Sequence, residues 1–191
     1  MQQTNWLVVT GAPSSGKTAV INCLARMGYP VKPEGATLYI SGQQALGRTL
    51  QEICADQCTL QEEISLLTAQ MEDRLDHTVP HVLDRAVPDV LAYCRLYQNP
   101  EDGVLSRITR RYYPKVMLLS RLPFVANDVR IENDGIASDL DGLFEMVYRE
   151  LGYDVVRIPV FAHADMSLPQ EERITWSVER RVEHILRHWN A

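Results

Sequence analysis

The sequence predicts an α/β domain built on a parallel sheet, and three observations carry that prediction. Its strand candidates are short, continuous apolar runs rather than alternating ones, as expected of strands covered on both faces. They alternate with longer stretches whose apolar residues recur at helical spacing. A turn rich in Gly and Ser stands directly between the first such run and the first helical stretch. No internal repeat, low-complexity tract or linker interrupts the 191 residues, so residues 1–191 are expected to form a single domain.

The elements follow in order. Trp6-Leu7-Val8-Val9 is a buried strand ending in Thr10-Gly11. Lys17 to Met27 carries Ala19, Val20, Ile21, Leu24 and Met27 at helical spacing, with Gly28 as its stop. Tyr29-Pro30-Val31 is a second short strand, closed by Lys32-Pro33-Glu34-Gly35. Ala36 to about Leu75 reads as helical with a break near Gly47, and Ile64, Leu67, Met71 and Leu75 form an apolar stripe in its last part. His81-Val82-Leu83-Asp84 is the third strand, and Val87 to Tyr97 is a helix that tolerates Pro88 in its first turn. Val116-Met117-Leu118-Leu119 is the fourth strand. A loop with Pro123, Asn127, Asp128 and Gly135 follows, then a helix from about Ser138 to Leu151 that Gly152 ends. Asp154 to Val160 is the fifth strand, and the last helix runs from near Pro169 to about Trp189.

Composition narrows the function. Hydrophobic residues make up 46% and charged residues 23%, an ordinary globular balance. The net charge of −6 argues against sequence-independent nucleic-acid binding, which needs dense Lys and Arg to displace counterions. It leaves room for a small polyanion in one locally basic pocket. No apolar run reaches the roughly 20 residues that span a bilayer, and the N-terminus lacks a secretory pattern. Cys23, Cys54, Cys58 and Cys94 show no zinc-site spacing and read as reduced thiols, so the expected compartment is the cytoplasm.

Gly11-Ala12-Pro13-Ser14-Ser15-Gly16-Lys17-Thr18 matches G-x-x-x-x-G-K-[ST] without a mismatch, between a strand and a helix. Glycines let the backbone curl so that successive N–H groups form an anion-binding nest, and the helix N-terminus adds to the field. Lys17 would reach the β- and γ-phosphates and the Thr18 hydroxyl would ligate Mg²⁺, so the expected ligand is a nucleoside triphosphate, ATP with Mg²⁺. A GTPase reading is disfavoured: Asn127-Asp128 has no Lys between its members, and Asp139-Leu140-Asp141-Gly142 falls in a helix. A full motor with an added helical lid domain would need more chain, so a small kinase or kinase-like ATPase fits best.

Asp84 closes the third strand, where a carboxylate can hold Mg²⁺ or take a proton from an attacking hydroxyl. Arg85 could neutralise a substrate phosphate or pair with Asp84. Glu34 follows the second strand, on the side of a doubly wound sheet that lines the ligand crevice, and could face an acceptor or be merely solvated. Arg121 and Arg130 flank the loop after the fourth strand and could bring charge to a moving phosphate. His184 and His188 share a helix face without a third metal ligand.

Taken together, the phosphate-loop residues, Gly28-Tyr29-Pro30-Val31 with Glu34, Leu83-Asp84-Arg85 with Pro88-Asp89, and Glu150-Leu151-Gly152-Tyr153-Asp154-Val155-Val156 resemble a family of small AAA-type P-loop proteins. That family is itself similar to nicotinamide-riboside kinase domains and deoxynucleoside kinases. The resemblance covers nearly the whole chain. It implies a P-loop NTPase three-layer sandwich with a five-stranded parallel sheet of order 2-3-1-4-5 and a lid-like loop at about 121–136. It also implies that Glu34 and Asp84-Arg85 face an acceptor, and that Arg130 belongs to the lid. Ala86, where Gly often follows Asp-Arg, and Gly35-Ala36-Thr37, which lacks an Arg common after the Glu, depart from the pattern, so acceptor identity does not carry over.

The resulting expectation is a kinase acting on a nucleoside-like hydroxyl. Lys17, Asp84, Glu34 and Arg130 would be catalytic, Glu34, Arg85 and Arg121 would bind substrate, and Thr18 and Asp84 would hold the metal. The alternative is an ATPase that works as a nucleotide-dependent interaction switch with no small-molecule acceptor. The expected partners are the nucleoside triphosphate and the acceptor, with the chain a monomer or homodimer.

Overall fold

In the computed structural model, residues 2–108, 111–122 and 134–189 are described. Seven strands occur among them: β1 (Gln2–Gln3), β2 (Leu7–Thr10), β3 (Val31–Lys32), β4 (Val82–Asp84), β5 (Arg111–Tyr112), β6 (Lys115–Leu119) and β7 (Val155–Ile158). The helices are α1 (Lys17–Arg26), α2 (Gly35–Ala45), α3 (Leu50–Cys54), α4 (Gln57–Asp73), α5 (Val87–Leu96), α6 (Asp102–Ile108), α7 (Asp134–Glu150) and α8 (Gln170–Trp189). Five strands form one all-parallel sheet in the order β3-β4-β2-β6-β7, which is 2-3-1-4-5 when those strands are counted along the chain. The expected topology is therefore present.

Alternation along β2 sets the layers. Leu7 and Val9 pack with Val20 and Leu24 of α1 and with Val182 and Ile185 of α8. Trp6 and Val8 point to the other face, into a cluster with Val90 of α5, Phe144 of α7 and Leu60 of α4. All four residues of β2 are buried, as the continuous apolar run requires of a strand covered on both sides. The chain leaves β2 for β3 and β4 on one side and returns to β6 and β7 on the other. The carboxyl end of β2 is thus the switch point, where open α/β sheets hold their ligands.

Several local expectations need correction. The stretch 36–75 is three helices, not one with a single break. Gly47 adopts a left-handed φ of 91° after α2, and Asp56 caps α4 by accepting from the Thr59 N–H at 3.1 Å. The buried face of α4 is also rotated from the predicted stripe. Leu60, Ile64 and Ala69 are buried beside Gln61, Ser65, Thr68 and Glu72, whereas Leu67, Met71 and Leu75 are half-exposed. Helical spacing found the helix, but the polar residues of its inner face disguised which side is in. The second strand is Val31–Lys32 rather than Tyr29–Val31, and α7 begins at Asp134 rather than near Ser138. Helix α6 and the small β1–β5 parallel pair were not anticipated. Of the lid-like loop expected at about 121–136, residues 123–133, Arg130 among them, lie outside the described residues, and 134–136 belong to α7.

Candidate functional site

The loop from Gly11 to Thr18 joins β2 to α1 over the switch point. A Cβ on Gly11 would approach the Ser15 Oγ to 2.7 Å and the Leu119 carbonyl to 2.9 Å, so only glycine lets the loop turn this tightly. Gly16 takes φ 77°, and Ser14 takes φ 69° although it is not a glycine. A left-handed serine beside ordinary backbone is the conformation that turns successive N–H groups to one side. The Ser15 N–H donates to the Ala12 carbonyl at 3.1 Å, and the Leu122 N–H donates to the Ser14 carbonyl at 3.0 Å.

Lys17 begins α1 and its ammonium lies between two carboxylates. It hydrogen-bonds Asp84 Oδ1, and Glu34 Oε2 is 3.7 Å away. The sheet brings them together. Val9 of β2 pairs with Asp84 of β4, which carries Asp84 beside the phosphate loop, and β3 on the outer side of β4 delivers Glu34 at the N-terminus of α2. Thr18, in the first turn of α1, is exposed.

Arg85 is the next link. With φ 61° it leaves the strand in a left-handed turn that sends its side chain back under the loop. Its Nε donates to Glu34 Oε1 at 2.6 Å, one terminal nitrogen to Asp89 Oδ1 at 3.1 Å and the other to the Gly11 carbonyl at 2.9 Å. Its guanidinium carbon stands 4.7 Å from the centroid of the Phe144 ring, a cation–π contact from α7. Each nitrogen of the guanidinium thereby has a stated acceptor.

Asp89 anchors this arrangement from α5. Only 2% exposed, it accepts from Arg85, the Thr10 hydroxyl, the Ala86 N–H at 2.8 Å and the Tyr148 hydroxyl at 2.6 Å. Sequence reading gave no role to Asp89, Tyr148 or the buried Lys32. For Asp89 a signal existed: an acidic residue at the third helical position after Pro88, where its carboxylate can reach back to the N–H before the helix. Asp89→Asn is expected to lower stability by about 3–5 kcal/mol, because Arg85 loses one of its two carboxylates and the new NH2 faces buried donors that now point at Asp89. Urea unfolding checks this, and a loss below about 1 kcal/mol would show that Asp89 is not the anchor.

The two carboxylates beside Lys17 are pushed in opposite directions. Burial would raise Glu34, but Arg85 and then Lys17 outweigh it and hold the carboxyl below the ordinary glutamate range. Burial dominates at Asp84 and lifts it above the ordinary aspartate range, against the pull of Lys17. Lys32, 2% exposed behind them, is drawn down by burial, with Glu72 the strongest opposing charge.

Glu34 and Arg85 also form one end of a cavity of about 180 Å³. Ile40 of α2, Leu60, Gln61 and Ile64 of α4 and Tyr93 of α5 line the rest. Gly35 lets α2 and α4 close on each other there, since a Cβ on it would collide with the Thr68 hydroxyl. Asp84 is not among the lining residues. Arg121 lies half-buried just past β6, beside the Leu122 contact to the loop. Arg107 is tied to Glu62 at 3.1 Å and to the Ser65 hydroxyl at 3.0 Å, away from Lys17's partners. The His184 and His188 rings lie 4.4 Å apart, tilted by 37°, and no group of three or more metal-binding side chains occurs among the described residues. No helix among those residues is long and apolar enough to cross a membrane.

Known proteins match this architecture. The NadR protein in complex with NR superposes with a TM-score of 0.62 at 16% identity, over 95% of this chain and 52% of the other; the chain thus spans about half of that protein. Deoxyadenosine kinase from M. mycoides, with products dCMP and a flexible dCDP bound, gives 0.57 at 14% identity, over 97% and 98% of the two chains. Thymidylate kinase from Ehrlichia chaffeensis gives 0.63 at 11% identity, over 98% of both. No curated protein matches the chain in sequence. The model of the AAA domain family matches residues 6–165. With an unbroken phosphate loop at the switch point of a 2-3-1-4-5 parallel sheet, the chain belongs to the AAA domain family, and its fold is that of the P-loop kinases.

Proposed function

We propose that the protein is a Mg²⁺-dependent kinase that transfers the γ-phosphate of ATP to a hydroxyl of a small, nucleoside-like molecule. One observation carries this reading: the Glu34 carboxylate stands at 3.7 Å from the phosphate-loop lysine and also lines the cavity between α2, α4 and α5. A hydrolytic switch has no need of a lined cavity at that point. The deoxyadenosine and thymidylate kinase likenesses agree with it at the level of fold.

The phosphates of ATP sit in the Gly11–Thr18 nest, with Lys17 withdrawn from Asp84 toward the β- and γ-oxygens. The donor set suits a hard cation that arrives with the nucleotide. The Thr18 hydroxyl and the Asp84 carboxylate are the oxygen ligands, and the ion supplies charge neutralisation at the phosphates. Glu34, ionised because Arg85 and Lys17 hold it so, takes the acceptor's proton as the hydroxyl oxygen bonds to the γ-phosphorus and the bond to the ADP oxygen breaks. Arg85 fixes Glu34 through its 2.6 Å contact. Arg121 and Arg130, flanking the segment after β6, supply positive charge to the moving phosphoryl group.

The test is ADP release with MgATP alone and with a panel of nucleosides and ribosides. At least one acceptor is expected to raise turnover roughly 100-fold over the basal rate, in the range of one positioned general base, with phosphorylated acceptor seen by mass spectrometry. If none does so, the switch reading replaces this one.

A further inference from the structure

Arg181 is buried in α8, on the opposite side of the phosphate loop from Lys17's carboxylates, and the chemistry above does not use it. It is 2% exposed. Among the described residues no carboxylate pairs with it, and burial pulls its basicity down. Its donors go instead to three carbonyls on three separate loops. Nε donates to Pro159 at 3.0 Å after β7, one terminal nitrogen to Ser120 at 2.7 Å after β6, and the other to Ser15 inside the phosphate loop. A Cβ on Gly16 would lie 3.4 Å from that same terminal nitrogen, so the guanidinium rests directly against the loop.

Peptide geometry gives this contact a consequence. A trans peptide is planar, so the Ser15 carbonyl and the Gly16 N–H point in opposite directions. With the carbonyl held against Arg181, the Gly16 N–H is turned away from α8 and toward the concave side of the loop. The Leu122 N–H holds the neighbouring Ser14 carbonyl at 3.0 Å, and the Ser15 N–H of that peptide is bound within the loop by the Ala12 carbonyl at 3.1 Å. A buried cation that needs no carboxylate here also adds positive potential behind the phosphates.

We propose that Arg181 is a positioning residue of the phosphate loop: it presets the Ser15–Gly16 peptide for phosphate and links the loop to the ends of β6 and β7. The inference rests on the nucleotide reading above, but its first test does not. Arg181→Met should accelerate hydrogen exchange across residues 11–18 by about tenfold or more, as loss of a charged hydrogen bond implies, while β2 and β6 exchange as before. The second test compares ATP with AMP. Arg181→Met should weaken ATP by about tenfold or more and AMP far less, and Arg181→Lys should regain part of the ATP affinity.

Unchanged loop exchange in Arg181→Met overturns the proposal. So does a loss that falls equally on ATP and AMP, which would mean general loosening. If Arg181→Met fails to fold, Arg181→Lys and Arg181→Gln carry the same two comparisons. If the unmodified protein binds no ATP, the nucleotide reading falls, and the exchange comparison still decides the role of Arg181.

Discussion

Lys17→Met is expected to reduce MgATP turnover by roughly 10³-fold or more, in line with the loss of a principal charge-stabilising group at a transferring phosphoryl. The ammonium is the cation that faces both Asp84 and Glu34, and its side chain is only 10% exposed. Methionine keeps the stem that packs at the start of α1 and removes only the charge. Two consequences separate this variant from a merely unstable one. ATP affinity should fall with turnover, because Lys17 contacts the β- and γ-oxygens in the bound state as well as during transfer. Asp84 and Glu34, left facing each other without Lys17, should both become harder to ionise, so the variant should tolerate mild acid better than the parent. Lys17→Arg does not restore function, since a planar fork cannot replace a point charge in so tight a loop. Turnover within tenfold of the parent would remove Lys17 from the chemistry.

The parts of the fold that the sequence made legible are those that local physics decides. Continuous apolar runs at Leu7–Val9, Val82–Leu83 and Val116–Leu119 read as strands covered on both faces, and the phosphate loop is recognised from its own eight residues and their flanks. What was not legible depends on distant partners. Arg181 meets Ser15 across 166 positions, and Tyr148 meets Asp89 across 59, so no window along the chain could join them. The face of α4 was misread because its inner side carries Gln61, Ser65, Thr68 and Glu72. Those polar groups are buried because they meet partners such as Arg107, Tyr113 and the cavity, not because the helix is amphipathic in the usual sense. The same misplacement hid the cavity, since a functional wall looks like a solvent face in sequence.

That wall leads to the second large effect, at Glu34. Glu34→Gln is expected to lower acceptor phosphorylation by roughly 10²–10⁴-fold, the range of a lost general base, while ATP affinity changes little. The amide keeps the shape: its oxygen can still accept from Arg85 Nε, which donates to Oε1 at 2.6 Å, and its NH2 can donate to the Thr37 hydroxyl, which now donates to Oε2 at 2.9 Å. The charge, and with it the proton acceptor, is lost, while Arg85 keeps Asp89 as a carboxylate partner. The pH profile then tells which carboxylate does the work. A base must be ionised, so the rate falls as pH drops through its pKa. Burial works against Glu34's charge but Arg85 and Lys17 prevail, so a Glu34 base gives an acid limb below the ordinary glutamate range. Asp84 is lifted by burial, so an Asp84 base gives a limb above the ordinary aspartate range, and that limb would survive in Glu34→Gln. The profile should be read as kcat/KM with the folded fraction followed by circular dichroism at each pH. The geometry favours the first outcome, because Glu34 lines the cavity while Asp84 is turned to Lys17. Transfer within about fivefold of the parent in Glu34→Gln, far short of a lost base, would hand the proton to Asp84 and leave Glu34 as the clamp that holds Arg85.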